Sequence, residues 1–278
     1  MPEGDTLHRT AHTLNRVLGK QTLTRVRSSV PEIAGAELAG HVVEEVTALG
    51  KNLLVHFDDG RVLHTHLKMR GSWHVYRPGE RWQRPEHQAR VVLEVSDALA
   101  VCFAAPTVRL LAARAAAVDP YLAGLGPDLI PDEFDEAAAI RGLASLVHLP
   151  IGVAVMTQTA LAGIGNIYKS ETLFLCKLSP LLAVAELDSA SLAGIVRTAR
   201  DLLRKNSRPG ASQRTTTTAA GVGQYWVYRR SGEPCRVCGT TVQMLRQGEL
   251  HRSTYYCPSC QDVTAVGTSC LLVPKPNT

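Results

Sequence analysis

No apolar stretch of this 278-residue chain reaches the roughly 18 residues that a membrane-spanning helix requires. The first ten residues, MPEGDTLHRT, lack the cationic start and apolar run that mark a secretory signal. The chain also lacks an internal repeat. We therefore expect a protein of the reducing cytoplasm with no membrane partner, whose 45% hydrophobic content suits two medium domains and a small extra module.

The positive charge of the chain is concentrated in one region. The net charge is +5, yet the stretch from Arg197 to Arg252 carries eleven Lys/Arg against three Asp/Glu and so accounts for +8. Such asymmetry is typical of a surface that binds a polyanion. The alternative is an ordinary solvated helix face, which would explain Arg197, Arg200 and Arg204 at helical spacing. Arg246 and Arg252 are the stronger indication of nucleic-acid binding.

Four cysteines form a C-x2-C…C-x2-C array at Cys235, Cys238, Cys257 and Cys260, separated by a stretch of hairpin length. Each C-x-x-C turn places two thiolates on one side of a tight knuckle, and two knuckles complete the tetrahedron that Zn²⁺ prefers. Two disulfides are the alternative, but they would need an oxidising compartment. The array predicts one structural zinc ion with four cysteine ligands.

The N-terminal part of the chain predicts one helix followed by a β-rich domain. Apolar residues recur at helical spacing from Thr6 to Lys20, with Asp5 or Thr6 as the N-cap and Gly19 as the stop. Short β-rich runs follow, divided by Gly, Asp and Pro at spacings typical of a sandwich or barrel: HVVEEVTAL, NLLVHFDD, RVLHTHL, SWHVYR and ARVVLEVS.

The composition and the apolar pattern of the sequence change after Val118. The run DPYLAGLGPDLIPDE is rich in Pro and Gly and predicts a linker, and the stretch from Phe134 to Asn206 is helical in pattern. A Thr-rich segment, SRPGASQRTTTTAAGVGQ, then predicts a mobile loop before the cysteine array. We expect an α+β, multidomain chain with domains at 1–118, 132–224 and 225–278 and a linker at 119–131.

The extreme N-terminus offers a reactive group. Pro2 becomes the N-terminal residue once Met1 is removed, and its secondary amine is a potential nucleophile. An α-amino group titrates near about 8 and a lysine near about 10.4, so the terminus supplies far more free amine at neutral pH. The carboxylate of Glu3 would then lie beside the amine. The alternative is an ordinary frayed terminus.

Four motifs, in this order along nearly the whole chain, resemble the formamidopyrimidine-DNA glycosylase/endonuclease VIII family. They are MPEGDT at the start, GKNLL at Gly50 to Leu54, GIGNIYKSE at Gly163 to Glu171, and EPC…C…RSTYYCPSCQ at Glu233 to Gln261. The resemblance implies an N-terminal β-sandwich with an N-terminal helix, a helix-two-turn-helix domain and a C-terminal zinc-finger β-hairpin, with damaged DNA between the lobes.

The resemblance also implies catalytic roles. Pro2 would attack C1′ of the damaged nucleotide, Glu3 would protonate the sugar ring oxygen, and Lys51 would be the essential cation beside them. A protonated Schiff base acidifies the C2′ proton, so β-elimination and then δ-elimination become accessible to one site. From the residues alone, Lys51 can equally be a solvated turn lysine.

The same resemblance implies a set of DNA-binding residues. Asn166 matches the turn asparagine that holds a phosphate, although an asparagine there can also be a helix N-cap. Arg252 matches the zinc-finger arginine that grips phosphates beside the lesion. The HLKMRG stretch aligns with the void-filling loop, which makes Met69 the candidate wedge, assisted by Lys68 or Arg70. As a lone methionine near a strand end, Met69 can instead be core filler.

Departures from the family pattern bear on the substrate. Many relatives have a second glutamate where this chain has Thr6 after Asp5. The arginine-phenylalanine loop of the formamidopyrimidine branch is replaced by APTVRLL, which leaves the place of Arg109 open. The Thr-rich segment is also short for the lid that covers 8-oxoguanine in that branch. These features favour the endonuclease VIII branch.

We therefore predict a bifunctional DNA glycosylase/AP lyase of base excision repair that prefers oxidised pyrimidines. The alternatives are an 8-oxoguanine or formamidopyrimidine glycosylase, and a binder of damaged DNA without catalysis. The expected partner is damaged double-stranded DNA, with single-stranded or bubble DNA left open. We expect a monomer without a small-molecule cofactor, in the cytoplasm and, in a bacterium, on the nucleoid.

Overall fold

The computed structural model describes residues 2–116, 118–210, 213–217 and 223–262. The chain divides into two compact units, Met1–Gly124 and Leu125–Thr278. Their boundary falls inside the stretch predicted as a linker, and the finer division into domains stays a prediction. Within the described residues, no helix is both long enough and apolar enough to cross a membrane.

The first unit contains eight strands and four helices among its described residues. The helices are α1 (Gly4–Leu18), α2 (Pro31–Ala34), α3 (Ala113–Ala116) and α4 (Pro120–Ala123). The strands are β1 (Arg25–Ser28), β2 (Val43–Leu49), β3 (Asn52–Phe57), β4 (Val62–His66), β5 (Ser72–Tyr76), β6 (Ala89–Glu94), β7 (Leu99–Phe103) and β8 (Thr107–Leu111). All five β-rich runs of the sequence are strands, whereas β1, β7 and β8 were not predicted.

These strands form two antiparallel sheets, with orders β1-β6-β7-β5 and β2-β3-β4-β8. Each sheet buries one face in a shared core, to which Leu93 and Ala100 of one sheet and Val55 and Leu63 of the other contribute. The apolar face of α1 joins this core through Leu7 and its neighbours one and two turns on. The unit is the predicted β-sandwich with an N-terminal helix.

The start of α1 differs from the prediction. The helix begins at Gly4, and its N-cap is Glu3 rather than Asp5 or Thr6. Asp5 and Thr6 therefore lie within the first helical turn. The helix ends before Gly19 as expected, although the φ of Gly19 is −58°, so this glycine stops the helix without a left-handed backbone.

The second unit is helical and ends in a hairpin. Its helices are α5 (Glu136–Ala144), α6 (Ile151–Ala154), α7 (Asn166–Leu175) and α8 (Ser189–Ser207), and its strands are β9 (Gln243–Gln247) and β10 (Arg252–Tyr256). The helices share one apolar core, centred on side chains such as Tyr168 and Ile195. Strands β9 and β10 pair antiparallel, so the predicted hairpin between the cysteine knuckles is confirmed.

The Thr-rich segment was predicted as a mobile loop rather than a packed element, and this was wrong for Thr216 and Thr217. Both residues are buried, with 2% and 5% of their surface exposed. The hydroxyl of Thr216 donates to the buried carboxylate of Glu171, which also accepts the backbone N–H of Trp226 at 2.8 Å. Positions 211–212 and 218–222 of this segment lie outside the described residues.

Candidate functional site

The N-terminal residues of the first unit are ordered around a buried carboxylate. Pro2 is half-buried, and Glu3 is fully buried with 0% exposure. The backbone carbonyl of Glu3 accepts hydrogen bonds from the N–H groups of Thr6 at 2.9 Å and Leu7 at 3.2 Å, which fixes the residue at the N-terminus of α1. A frayed terminus is therefore excluded for Glu3. The helix N-terminus also favours negative charge at this position.

Asp5 directly precedes Thr6, which stands where many relatives have a second glutamate. Its side chain is fully buried, and its carboxylate lies 3.8 Å from Arg9 one helical turn further on. The hydroxyl of Thr6 lies 3.4 Å from the Asp5 carboxylate. This chain therefore has two buried carboxylates at the start of α1, one on the N-cap residue Glu3 and one on Asp5 in the first turn.

Lys51 lies in the two-residue turn that joins β2 to β3. Leu49 and Asn52 are paired across this hairpin, and Gly50 has a φ of +58°, which a glycine adopts without strain at the first position of such a turn. Lys51 is half-buried rather than fully solvated. The Asn52 side chain braces the turn, because its Nδ2 donates to the Leu49 carbonyl at 3.0 Å.

Two histidines on β4 support this turn. His64 Nε2 lies 2.9 Å from Asn52 Oδ1, so the imidazole donates and Asn52 accepts. Burial, followed by the charge of Arg109, lowers the pKa of His64 to about 4. His66 pairs with Asn52 across the sheet, and burial together with the charges of Lys68 and Lys51 lowers its pKa to about 4. Both rings are neutral at pH 7.

The sequence analysis gave neither these histidines nor Asn52 a role in the site. Since His64 and Asn52 brace the turn that carries Lys51, they belong to the candidate site as supporting residues. The available signal was the GKNLL motif itself, in which the asparagine directly follows the lysine. Its partner, twelve residues away, depends on the register of β3 and β4 and is not visible in the sequence.

The loop between β4 and β5 presents Met69 to solvent. The Gly71 N–H donates to the Leu67 carbonyl at 2.8 Å and closes the loop at its base. Lys68 has a φ of +48° and donates its backbone N–H to His66 Nδ1 at 3.1 Å. The Met69 side chain is 65% exposed, so core filler was the wrong alternative for it. Lys68 and Arg70 flank it at the exposed apex.

Arg109 does not lie at a loop tip. It sits in β8 opposite His64, and its guanidinium bonds the Asp119 carboxylate at 2.7 Å. The link from β7 to β8 is only Ala104, Ala105 and Pro106, which contains neither an arginine nor an aromatic residue. Arg109 is therefore a structural ion-pair residue in this unit.

In the second unit, Asn166 is the first residue of α7. The N-cap is Gly165, so the N-cap alternative for Asn166 was wrong. The Asn166 Oδ1 atom is buried and accepts no hydrogen bond within the described part of the chain. Gln158 shapes the turn ahead of the helix: its Nε2 donates to the Ile164 carbonyl, and its Oε1 accepts the Gly163 N–H, both at 3.1 Å. Sequence reasoning missed Gln158.

Arg252 begins β10 and pairs with Gln247 of β9. It lines a cavity of about 460 Å³ between the start of α6 and the tip of the hairpin. The Arg252 Nε atom is buried without a hydrogen-bond acceptor among the described residues. Lys169 of α7, which is 1% exposed, lines the same cavity. Two basic side chains thus line one cavity of this unit.

The arginines of α8 are engaged within their own unit. Arg197 bonds Glu136 at 2.7 Å, and Arg204 bonds Asp132 at 2.5 Å. Arg200 donates to the Leu129 carbonyl and stacks on an aromatic ring. All three arginines therefore contact the chain between residues 129 and 136 of the same unit, as residues on the surface of an ordinary helix do.

The four predicted zinc ligands converge. Their sulfur atoms all lie within 4.8 Å of one another, with 3.9 Å between Cys235 and Cys260 and 3.5 Å between Cys238 and Cys257. Tetrahedral zinc with bonds of about 2.3 Å requires sulfurs about 3.8 Å apart, whereas a disulfide requires about 2.05 Å. The geometry fits zinc and excludes the disulfide alternative within the array.

The surroundings of the sulfurs also suit a metal. The backbone N–H groups of Val237 and Cys260 each point at a ligand sulfur at 3.4 Å. Burial, followed by the contact with Cys238, raises the pKa of the Cys257 thiol to about 11. Burial acts in the same direction on Cys238, but hydrogen bonds from Thr240 lower its pKa to about 6. A divalent cation supplies the charge that lets all four sulfurs ionise together. The array holds one structural Zn²⁺.

An ordered amino-terminal carboxylate, a helical DNA-binding unit and a zinc hairpin define the class of DNA glycosylases with three such modules, and comparisons with known proteins agree. Residues 1–108 match the formamidopyrimidine-DNA glycosylase N-terminal domain, residues 125–218 the formamidopyrimidine-DNA glycosylase H2TH domain, and residues 232–263 the zinc finger found in FPG and IleRS. The chain belongs to the formamidopyrimidine-DNA glycosylase/endonuclease VIII family, in its endonuclease VIII-like branch.

Relatives of known name cover nearly the whole chain. A probable endonuclease 8 2 of Streptomyces coelicolor is 40% identical over 265 residues, covering 94% of each protein. The DNA-(apurinic or apyrimidinic site) lyase Nei2 of Mycolicibacterium smegmatis is 38% identical over 261 residues, covering 94% of this chain and 99% of the relative. Among solved structures, MutM in complex with DNA containing carbocyclic 8-oxo-G has a TM-score of 0.79 at 24% identity, covering 94% of this chain and 100% of that one. This last likeness supports the fold.

Proposed function

We propose that this protein removes oxidised bases, with a preference for pyrimidines, from damaged DNA through a Schiff base at Pro2. It is a bifunctional DNA glycosylase/AP lyase of base excision repair. The main observation behind this proposal is the position of Glu3, whose fully buried carboxylate lies at the N-terminus of α1 directly after Pro2. An amine and an acid adjacent in sequence are the two groups that the reaction needs first.

In the first step, the lone pair of the Pro2 amine attacks C1′, and the glycosidic bond breaks. The damaged base leaves with the bonding electrons and takes up the proton that the Pro2 nitrogen releases. Glu3 donates a proton to the sugar ring oxygen, so the ring opens and an iminium forms between Pro2 and C1′. Proton transfer of this kind contributes about 10² to 10⁴ in rate. Lys51, held in its braced turn, supplies positive charge for the carboxylate or a phosphate.

The lyase steps follow from the iminium. It withdraws electrons from C2′, so a proton leaves C2′, its electrons form the C2′–C3′ double bond, and the 3′ phosphate departs. Loss of a second proton, from C4′, expels the 5′ phosphate by δ-elimination. Water then hydrolyses the iminium and releases the Pro2 amine.

DNA binding is assigned to the second unit and the exposed loop of the first. Asn166 and Arg252 are proposed to hold phosphates, where the guanidinium can form two parallel hydrogen bonds. Met69 is proposed to fill the gap left by the everted nucleotide, with Lys68 or Arg70 assisting. The protein acts as a monomer in the cytoplasm, and on the nucleoid in a bacterial cell.

Borohydride trapping on DNA that contains an abasic site tests this mechanism. The protein is first confirmed by mass to begin at Pro2, and the reduced adduct is then mapped. A covalent adduct at Pro2 is expected, and a sample that retains Met1 is the matched control without the free proline amine. No adduct on protein that begins at Pro2 and still binds DNA would instead indicate a damage binder without catalysis.

The substrate preference needs a separate experiment. A panel of duplexes with oxidised pyrimidines, 8-oxoguanine and formamidopyrimidines, each opposite all four bases, is cleaved under single-turnover conditions. Faster release of oxidised pyrimidines is expected. Faster release of 8-oxoguanine would assign the chain to the other substrate class while leaving the Schiff-base mechanism intact.

A further inference from the structure

A strap of chain between β5 and β6, residues 77–88, is fastened to the outer face of the first sheet. Trp82 of this strap stacks on Tyr76 with ring centroids 6.0 Å apart, and it meets Phe103 edge-on at 5.6 Å. These rings form a cluster separate from the sandwich core. The guanidinium carbon of Arg27 also lies over Trp82, 5.6 Å from the centre of its ring. Trp82 therefore anchors the strap to the sheet, although most residues of the strap are exposed.

The next two residues of the strap are fixed as well. The Gln83 N–H donates to the Tyr76 hydroxyl at 3.0 Å. Arg84 follows, and its guanidinium carbon lies 5.8 Å from the centre of the Phe103 ring. An arginine held against an aromatic face loses less freedom when it forms hydrogen bonds than a freely moving side chain does.

Arg84 reaches the loop that carries Met69. Its Nη1 donates to the Arg70 carbonyl at 2.9 Å and to Ser72 Oγ at 3.0 Å. Both acceptors follow Met69 in the chain, in the part of the loop that leads into β5. Hydrogen bonds from a charged donor are about twice as strong as neutral ones. The contacts tie the exposed loop to the strap at Arg84.

The base of the same loop tolerates little movement. A Cβ on Gly71 would lie 2.7 Å from the Leu67 carbonyl oxygen and 3.0 Å from Ala105 Cα, which are backbone atoms. Backbone packing around Gly71 therefore closes the base of the loop, and Arg84 holds the residues that lead from Met69 into β5. Its apex, Met69, projects into solvent between these two constraints.

We propose that Arg84 is a positioning residue for base eversion, which holds the Met69 loop in the shape that enters the DNA stack. The inference rests on the proposed role of Met69 as the wedge. A loop that is already ordered loses less conformational entropy when it inserts, so insertion into the gap is more favourable. Nothing in this role requires Arg84 to touch DNA.

The test measures insertion without chemistry. The fluorescent base 2-aminopurine is placed opposite a stable abasic analogue in duplex DNA, and its fluorescence is followed at saturating protein. Wild-type protein, R84A, M69A and the double variant R84A/M69A are compared, together with R81A. Arg81 is exposed in the same strap, so R81A removes the same charge without touching the loop. The Tm of each variant is measured in parallel.

The effects of the R84A and M69A substitutions on insertion are expected to be non-additive in this double-mutant cycle. R84A lowers the equilibrium constant for insertion roughly tenfold, because both hydrogen bonds from Arg84 to the loop are lost. M69A abolishes the signal, R81A leaves it unchanged, and the double variant equals M69A because Arg84 acts through Met69. An R84A signal equal to wild type, or an M69A signal equal to wild type, would overturn the proposal.

A failure of the proposed function would give a different pattern of results from a failure of the Arg84 proposal. The Pro2 adduct on abasic DNA reports the chemistry independently of the fluorescence. A wild-type protein that inserts Met69 but forms no adduct would refute the lyase mechanism and leave the role of Arg84 standing. A protein that forms the adduct while R84A and wild type insert equally would refute only the role of Arg84.

Discussion

The backbone N–H of Tyr255 donates to Ser170 Oγ at 3.2 Å, which joins the zinc hairpin to the helix that begins at Asn166. Gln261 adds a second link, because its Nε2 donates to the Leu178 carbonyl at 2.9 Å while its Oε1 accepts the Cys257 N–H. Within the second unit, the position of Arg252 relative to Asn166 therefore depends on the hairpin keeping its shape.

Loss of a zinc ligand should disrupt the hairpin and so displace Arg252. C257A is expected to release the metal, disorder the hairpin that carries Arg252 and abolish DNA binding, because a structural metal site contributes folding free energy directly. Zinc content and DNA affinity are measured together. S259A, an exposed position in the same knuckle, is the control and should keep both. Unchanged affinity in metal-free C257A would contradict the structural role of zinc.

Replacing Arg252 should weaken binding to all DNA sequences alike. R252A removes one phosphate contact, so the slope of log affinity against log salt concentration should become shallower by about 1. Binding is titrated at several salt concentrations on several lesions. R197A is the control, since Arg197 is already paired with Glu136. If R252A changed affinity for a single lesion only, Arg252 would be reading the base.

Replacing Glu3 should separate base removal from strand cleavage. E3Q is expected to slow release of the damaged base by about 10² to 10⁴, because the ring oxygen loses its proton donor. An abasic sugar opens without that proton, so Pro2 should still be trapped on abasic DNA. Both rates are measured under single-turnover conditions, with the exposed E32Q as control. Equal loss of both activities would argue that E3Q disturbs the fold around Pro2.

The stability of the protein should depend on His64 at acidic pH. In the native state its pKa is lowered to about 4, mainly by burial, from an ordinary value of 6.5. Between these values the unfolded state binds more protons, so the free energy of unfolding should fall as the pH drops from 6.5 towards 4. H64Q keeps a donor for Asn52 but does not titrate.

Urea denaturation at a series of pH values measures this effect. The pH dependence of H64Q should be shallower than that of wild type across the same window. H87Q is the control, because His87 is exposed. Parallel pH profiles for wild type and H64Q would show that the imidazole of His64 titrates alike in the folded and unfolded states.

Local signals in the sequence determined much of what this protein is. The C-x2-C spacing predicts the zinc ligands because each knuckle is a short-range turn, and strand runs such as the one in β3 are evident from composition and periodicity. The Gly50–Lys51 turn and the helix after Pro2 are also local features. Each involves residues within a few positions of one another, whose geometry follows from backbone preferences.

The tertiary structure alone decided which distant residues meet. The burial of Glu3, the bond from His64 to Asn52 and the reach of Arg84 to the Met69 loop each depend on sheet register or on packing between elements. The exposure of Met69 and the engagement of Arg204 with Asp132 have the same origin. One sequence carries no direct record of these long-range distances, because they result from how the whole core packs.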